Sequence, residues 1–166
     1  MRTKLLSLFA ASLLLAACET TPTTTAGSGG GGAAAAPAAT AAPRTGPVPG
    51  SQQDLVVNVG DRVFYDLDKS DLKPEARRTL ERQAAWLKQY GSVMVSLEGH
   101  CDERGTREYN LGLGDRRANA VKQFLQAEGV AANRVKTISY GKERPTCVSS
   151  DEACYAKNRR GASVVQ

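Results

Sequence analysis

Apolar and polar side chains alternate with two different periods along the second half of the chain. Strand-like spacing occurs at residues 61–65, 92–98, 135–140 and 162–165, and helical spacing occurs at 74–90, at 153–158 and in a stretch that ends near Gly129. Strands that alternate with helices favour an α/β two-layer sandwich. Because the connections differ in length, we expect a mixed four-stranded sheet packed on the helices.

One charged residue interrupts the apolar face of the longest predicted helix. If this helix begins between Leu111 and Gly114, an advance of about 100° per residue puts Arg117 near the middle of that face. The apolar residues around it are Leu113, Ala118, Ala120, Val121, Phe124 and Leu125. A guanidinium keeps its charge in a protein and needs acceptors when buried. The acceptor is either an internal carboxylate or an anionic ligand.

The start of the chain has the pattern of a bacterial export signal. Arg2 and Lys4 precede an apolar run that is too short to span a bilayer comfortably, and small residues follow it. Residues 15–18, LAAC, resemble a lipobox, which implies cleavage after residue 17 and lipidation of Cys18. An ordinary signal peptide with an incidental cysteine is the alternative. Glu19 is not the aspartate that marks inner-membrane retention in enteric bacteria, which favours the outer membrane.

The segment that follows the signal is predicted not to fold. Residues 18–53 are mostly Thr, Ala, Gly and Pro and carry almost no charge, so they cannot bury enough apolar surface to offset their conformational entropy. We interpret them as a flexible linker between the lipidated cysteine and a folded domain over residues 54–166. About 113 residues are enough for a single core.

Charge gives little support to nucleic-acid binding. The chain has 22 basic and 17 acidic residues, a net charge of +5, and loss of Arg2 and Lys4 with the signal lowers this by two. Aromatic residues make up 5% of the chain, and no basic run interleaves with them. No nucleic-acid partner is expected.

The cysteines have separate roles in this interpretation. Export places them in an oxidising compartment, and Cys147 and Cys154 lie seven positions apart across one loop, so we predict a disulfide between them. Cys101 is then left as a free thiol packed beside a strand. A metal site built from His100, Cys101 and a loop cysteine is a weaker alternative, because the chain has one histidine and no CxxC or HxxxH spacing. No metal or cofactor is predicted.

An enzyme, such as a hydrolase that acts on the cell wall, is one class of function to consider. Glu98, His100 and Asp102 lie close together in sequence, but the chain has no GxSxG motif and no second histidine for a catalytic metal. A histidine packed at a strand end explains the same residues, so an enzyme is not expected.

Several motifs occur in a fixed order across residues 61–165. They are VFYDLDKS at 63–70, LEGHCDERG at 97–105, N-x2-LG-x2-RA-x2-V-x3-L from 110 to 125, YGKERP at 140–145 and NRR at 158–160. In this order, behind an export signal and a linker, they resemble the OmpA-like peptidoglycan-binding family. Leu67 stands where an aromatic residue is usual, Cys101 where a threonine is common, and Gly161 follows the double arginine. None of these departures removes a charged ligand-binding position.

The resemblance implies binding of meso-diaminopimelate on the peptide stem of peptidoglycan. The matching positions are Asp102 and Arg117, with Asp68, Leu67 and Leu113 nearby. Arg117 is expected to hold the ligand carboxylate bidentately, helped by N–H groups at its helix's N-terminus, while Asp102 accepts from the ammonium. A purely structural Asp102–Arg117 pair is the alternative. In the resting protein the acceptor of Arg117 is water, Asp102 or Asp68. We expect alanine variants of Asp102 and Arg117 to fold and to lose binding to cell-wall sacculi.

The resemblance also implies partners and a location. It implies a lipid-anchored outer-membrane protein whose domain faces the periplasm, and a Tol system that acts in envelope integrity and division. A TolB-like periplasmic propeller would compete with peptidoglycan for an overlapping surface. The residues themselves support only an exposed charged loop, 103–109. Arg159 and Arg160 are weaker site candidates: one could line the pocket, but an exposed pair at a domain end is expected to be solvated surface.

Overall fold

Four strands and four helices make up the fold of residues 46–166, which a computed structural model describes. The strands are β1 (Arg62–Phe64), β2 (Val95–His100), β3 (Val135–Gly141) and β4 (Arg160–Val165), and the helices are α1 (Gln52–Asp54), α2 (Pro74–Gln89), α3 (Arg107–Ala127) and α4 (Glu152–Asn158). A π-helical turn at Leu55–Val59 and a 3₁₀ turn at Ala132–Arg134 join them. The predicted signal, the lipobox with Cys18 and the linker up to residue 45 lie outside the described residues.

The four strands form one mixed sheet in the order β1-β4-β2-β3. β2 runs parallel to β3, with α3 as the crossover between them, and β4 runs antiparallel to β1 and β2. Val95 is paired with Val135 on one side and with Val165 on the other, which places β2 and β4 in the interior of the sheet. The predicted mixed four-stranded sheet is therefore confirmed.

Two long helices cover the sheet and close the core. α3 packs on β2, β3 and β4, while α2 packs on β1 and α3. Their apolar faces meet the inward side chains of the strands, including Val63, Leu80, Leu87, Leu97, Val121 and Leu125. This arrangement is the predicted two-layer α/β sandwich. Within residues 46–166 there is no helix of the length and apolar character that a bilayer crossing requires.

α3 begins earlier than the hydrophobic pattern predicts. It starts at Arg107 rather than between Leu111 and Gly114, because the Thr106 side chain accepts a hydrogen bond from the backbone N–H of Tyr109, at 3.2 Å. Such an N-cap satisfies a free donor of the first turn. Hydrophobic periodicity does not detect this start, because the first turn of α3 is polar and two glycines, which are poor helix formers, follow it.

The folded part also begins slightly before the predicted boundary at residue 54. Gln52, assigned to the linker from composition, accepts from the N–H of Val165 at 2.7 Å and donates to the carbonyl of Ser163 at 3.3 Å. Asp54 is buried and accepts from the indole N–H of Trp86 at 2.9 Å. The two Gln52 bonds satisfy backbone groups at the end of β4 that extends beyond its pairing with β1, which composition alone does not reveal.

A pair of glycines sets the distance between α3 and β2. A Cβ atom on Gly99 would lie 1.8 Å from the carbonyl oxygen of Gly114, and one on Gly114 would lie 2.4 Å from the hydroxyl of Ser139. Only glycine permits backbones to approach this closely. The contact brings the next turn of α3, which carries Arg117, against the carboxyl end of β2.

We predict that Gly99→Ala destabilises the fold by about 2 kcal/mol or more, because the added methyl overlaps backbone that cannot move without shifting α3. Urea unfolding measures the loss. Gly91→Ala is the matched control, since a Cβ there meets nothing within 4 Å. Equal midpoints for the two variants would contradict the close approach.

Candidate functional site

A pocket of about 290 Å³ opens where the carboxyl end of β2 meets the first half of α3. It brings together all five site residues that the family resemblance implies, namely Leu67, Asp68, Asp102, Leu113 and Arg117. Five further residues complete its lining: Arg104, Gly105, Tyr109, Asn110 and Arg159. Leu113 is buried on the wall, and Leu67 is exposed at the mouth.

The acceptors of Arg117 are backbone carbonyls. Its Nε donates to Lys69 at 2.8 Å, Nη1 to His100 at 2.8 Å and Nη2 to Asp66 at 3.1 Å. The guanidinium lies 5.1 Å from the ring centre of Tyr65, within cation–π range. Neither Asp102 nor Asp68 is its partner. The alternative of a direct Asp102–Arg117 pair is therefore wrong for this structure.

The positive charge of Arg117 has no carboxylate partner in the described chain. The residue is 1% exposed, and none of the ion pairs within residues 46–166 includes it. Burial lowers the pKa of the guanidinium, but an arginine stays charged at neutral pH. Three of its five N–H groups bind the carbonyls, which leaves two for an incoming anion.

The expected help from the helix N-terminus is not available to Arg117. α3 begins at Arg107, so Arg117 lies more than two turns inside the helix, where backbone N–H groups are already bonded within the helix. Any grip on a ligand carboxylate at this end of the pocket comes from the side chain.

Asp102 supplies the negative charge of the pocket and is 4% exposed. Its Oδ2 accepts from Arg104 Nη2 at 2.6 Å and from Arg159 Nη1 at 3.1 Å, and its Oδ1 accepts from the backbone N–H of Arg104 at 3.2 Å. Burial works to raise the pKa of the carboxyl, but these hydrogen bonds outweigh it and lower the pKa. Asp102 is therefore ionised at neutral pH.

The double arginine is buried, so the expectation of an exposed, solvated pair is wrong. Arg159 and Arg160 are each 6% exposed. Arg159 donates to the carbonyl of Tyr65 at 3.1 Å and pairs with Glu152 at 2.7 Å as well as with Asp102. Arg160 donates to the carbonyl of Arg144 at 3.2 Å. Arg160 begins the interior strand β4 and Arg159 directly precedes it, and the interior position of this strand depends on tertiary structure that the linear pattern does not contain.

The pocket lining also contains Tyr109 and Asn110, which the sequence did not single out for binding. The hydroxyl of Tyr109 donates a hydrogen bond to Asp68, which has a left-handed backbone with φ of 56°. The Asn110 side chain donates to the carbonyls of Arg104 and Thr106, at 2.8 and 3.0 Å, and so shapes the loop before α3. Asn110 stands first in the helix motif, and that was the only signal that could have pointed to it.

A disulfide and a short helix support the pocket from the side. Cys147 and Cys154 are bonded in the structure, with their Cα atoms 5.3 Å apart. The Asp151 side chain caps α4 by accepting from the N–H of Cys154 at 2.8 Å. This places Glu152 beside Arg159.

His100 and Cys101 are packed into the fold rather than into the pocket. The His100 ring stacks on Tyr140 at 5.4 Å, and burial, with the nearby charges of Arg160 and Arg144, lowers its pKa to about 4. The Cys101 thiol donates to the carbonyl of Asn110 at 3.4 Å. Residues 46–166 contain no group of three His, Cys, Asp or Glu side chains able to hold a metal.

The fold and these residues agree with the comparisons to known proteins. Residues 64–159 match the model of the OmpA family. The chain belongs to the OmpA family. It is 56% identical over 117 residues to proteins named peptidoglycan-associated lipoprotein from Agrobacterium fabrum and Mesorhizobium japonicum. These alignments cover 70% of this chain and 66% and 70% of the relatives, so the chain spans about two thirds of the first relative's length.

A solved structure shows the same relationship. The crystal structure of the peptidoglycan-associated lipoprotein from Burkholderia pseudomallei is 38% identical, with a TM-score of 0.63. The superposition covers 64% of this chain and 90% of that one. The family match over residues 64–159 includes every residue that lines the pocket.

We predict that Arg117→Ala lowers the free energy of unfolding by about 3 kcal/mol or more, since three buried carbonyls lose their donor. The variant is expected to be less stable than the protein, and its loss of sacculus binding stays a prediction. Urea unfolding checks it. Arg116→Ala is the control, because this neighbour is exposed. A small, equal effect of both substitutions would contradict the assignment.

The single histidine should make stability fall in acid. His100 stays neutral in the fold down to about pH 4, whereas an unfolded histidine takes up a proton below about pH 6.5. Protonation therefore favours the unfolded state increasingly between these values. We expect the unfolding midpoint to fall from pH 7 to pH 4.5, and to fall less in His100→Phe. NMR titration of the one histidine checks the cause, and a folded-state pKa near 6.5 would refute it.

Proposed function

We propose that the pocket binds the free end of meso-diaminopimelate in the peptide stem of peptidoglycan, non-covalently. The observation that carries the proposal is the buried Arg117 guanidinium, which has no carboxylate partner in the described chain and lines one pocket with the ionised Asp102. A cation with two spare donors and a separate anion match a group that carries a carboxylate and an ammonium on one carbon.

The chemistry of the lining supports this ligand class. The carboxylate would bind the free Nη hydrogens of Arg117, and the ammonium would bind Asp102. Leu67 and Leu113 supply apolar contact for the methylene chain. The volume of about 290 Å³ is near the lower end for small-molecule sites, which suits an amino-acid end better than a sugar. Hydrogen bonds to charged groups contribute about 1.5–3 kcal/mol each, so moderate affinity is expected.

Moderate affinity is sufficient for a tethered protein. We infer that Cys18 is lipidated and anchors the chain in the outer membrane, and that residues 18–53 are largely a flexible tether that lets the domain reach the wall. Peptidoglycan then offers many copies of the ligand at high local concentration. The relatives' printed name, peptidoglycan-associated lipoprotein, supports both the lipid anchor and the wall ligand.

A role in the Tol–Pal system rests on the family resemblance. In this proposal the protein links the outer membrane to the wall, contributes to envelope integrity and helps the outer membrane constrict at cell division. Tol components, including a TolB-like propeller, would bind the charged segment 103–109, the last three residues of which begin α3 and part of which lines the pocket.

A hydrolase is the less favoured function. His100 lies stacked on Tyr140 away from the pocket lining, and its lowered pKa makes it a poor base at neutral pH. We therefore propose a binding protein and not an enzyme, so intact sacculi incubated with it should release no muropeptides.

The substitution Asp102→Asn tests the ligand assignment. It keeps the size of the side chain but removes the charge that an ammonium needs, so we expect binding to sacculi to weaken at least about tenfold. Co-sedimentation with purified sacculi measures binding, and thermal unfolding shows that the variant is folded, since Arg159 keeps its bonds to Tyr65 and Glu152.

The matched control is Asp115→Asn. Asp115 is exposed on α3 and outside the pocket lining, so it changes the net charge equally without touching the site. Full binding by a folded Asp102→Asn protein would overturn the proposed function.

A further inference from the structure

Asp102 is already paired with two arginine side chains. Arg104 and Arg159 both donate to its Oδ2, at 2.6 and 3.1 Å, and the backbone N–H of Arg104 occupies one position on Oδ1. A carboxylate offers about four lone-pair positions, so an incoming ammonium finds most of them filled and meets two positive charges. One of the two arginines has to give way for a full charge-assisted contact.

Arg159 cannot move without damage to the fold. Its side chain is 7% exposed and donates to the carbonyl of Tyr65 at 3.1 Å and to Glu152 at 2.7 Å as well as to Asp102. Displacing it would leave buried donors and acceptors unpaired, which is costly.

Arg104 is less constrained than Arg159 and has a second acceptor nearby. Its side chain is 37% exposed, its Nη1 lies 3.4 Å from Glu152 Oε2, and its guanidinium lies 4.4 Å from the ring centre of Tyr155. A small rotation would carry the guanidinium off Asp102 and onto Glu152 while it stays over the same ring.

The backbone around Arg104 is held, so a side-chain movement is the simplest change. Lys142 donates to the carbonyls of Glu103 and Gly105, at 3.1 and 2.7 Å, and Asn110 donates to that of Arg104 at 2.8 Å. The Glu103 side chain accepts from Ser150 and Tyr155, each at 2.7 Å.

We propose that Arg104 is an internal competitor of the ligand's ammonium: it neutralises Asp102 in the empty pocket and transfers to Glu152 when an ammonium enters. This inference rests on the proposed function. Arg104 thereby sets specificity, because a ligand without a cation cannot replace it. It also gives the buried carboxylate a second ion pair between binding events.

Calorimetric titration of the folded domain with free meso-diaminopimelate tests the inference. Removing the competitor in Arg104→Gln should tighten binding about threefold to fivefold, the size typical of a partly exposed ion pair. Removing the second acceptor in Glu152→Gln should weaken binding by a similar factor. In the Arg104→Gln/Glu152→Gln double variant the effect of Glu152→Gln should disappear, because the Arg104 side chain that Glu152 would accept is no longer there.

Arg107→Gln is the control for net charge, because Arg107 is exposed and outside the pocket lining; it should bind like the unsubstituted protein. Unchanged or weaker binding by a folded Arg104→Gln protein would overturn the inference. An equal loss from Glu152→Gln in both backgrounds would also overturn it, since Glu152 would then act through Arg159.

If the unsubstituted protein does not bind, the proposed function fails together with this inference. If it binds and Asp102→Asn does not, the proposed function stands whatever Arg104 shows.

Discussion

The guanidinium of Arg117, bonded to three backbone carbonyls, is the interaction on which the rest of the site depends. The carbonyls of Asp66 and Lys69 belong to the loop after β1, and that of His100 belongs to the end of β2. Arg117 itself is carried by α3, so one side chain joins three elements that are distant in sequence. Because a planar guanidinium donates in fixed directions, it also fixes the relative position of these elements.

Backbone carbonyls accept hydrogen bonds from the Arg117 guanidinium without neutralising its charge. Had Asp102 been the acceptor, one ion pair would neutralise both charges of the pocket, and a zwitterionic ligand would have to break it at both of its ends. Instead only Asp102 is paired, with Arg104 and Arg159, and the charge of Arg117 has no carboxylate partner in the described chain. The cation and the anion are thereby kept apart, which is the separation that the proposed recognition of an amino-acid end requires.

The hydrogen bonds of Arg159 connect the sheet and α4 to the same pocket. Arg159 precedes the interior strand β4 and joins Asp102, Tyr65 and Glu152. Glu152 is held in place by the capped start of α4 and by the Cys147–Cys154 bond next to it. The pocket is therefore supported by β4 and α4 as well as by β2 and α3.

The sequence by itself determined the main elements and the two-layer class, because periodicity is a local property of the chain. Half of the residues that line the pocket followed from the resemblance of the chain's motifs to a known family. The sequence also marked Arg117 as a charge that needs acceptors. Only the tertiary structure decided what those acceptors are: carbonyls 17 to 51 positions away, which no side-chain pattern encodes. The same holds for the burial of Arg159 and Arg160 and for the early start of α3, since burial, sheet order and capping depend on which segments meet in space.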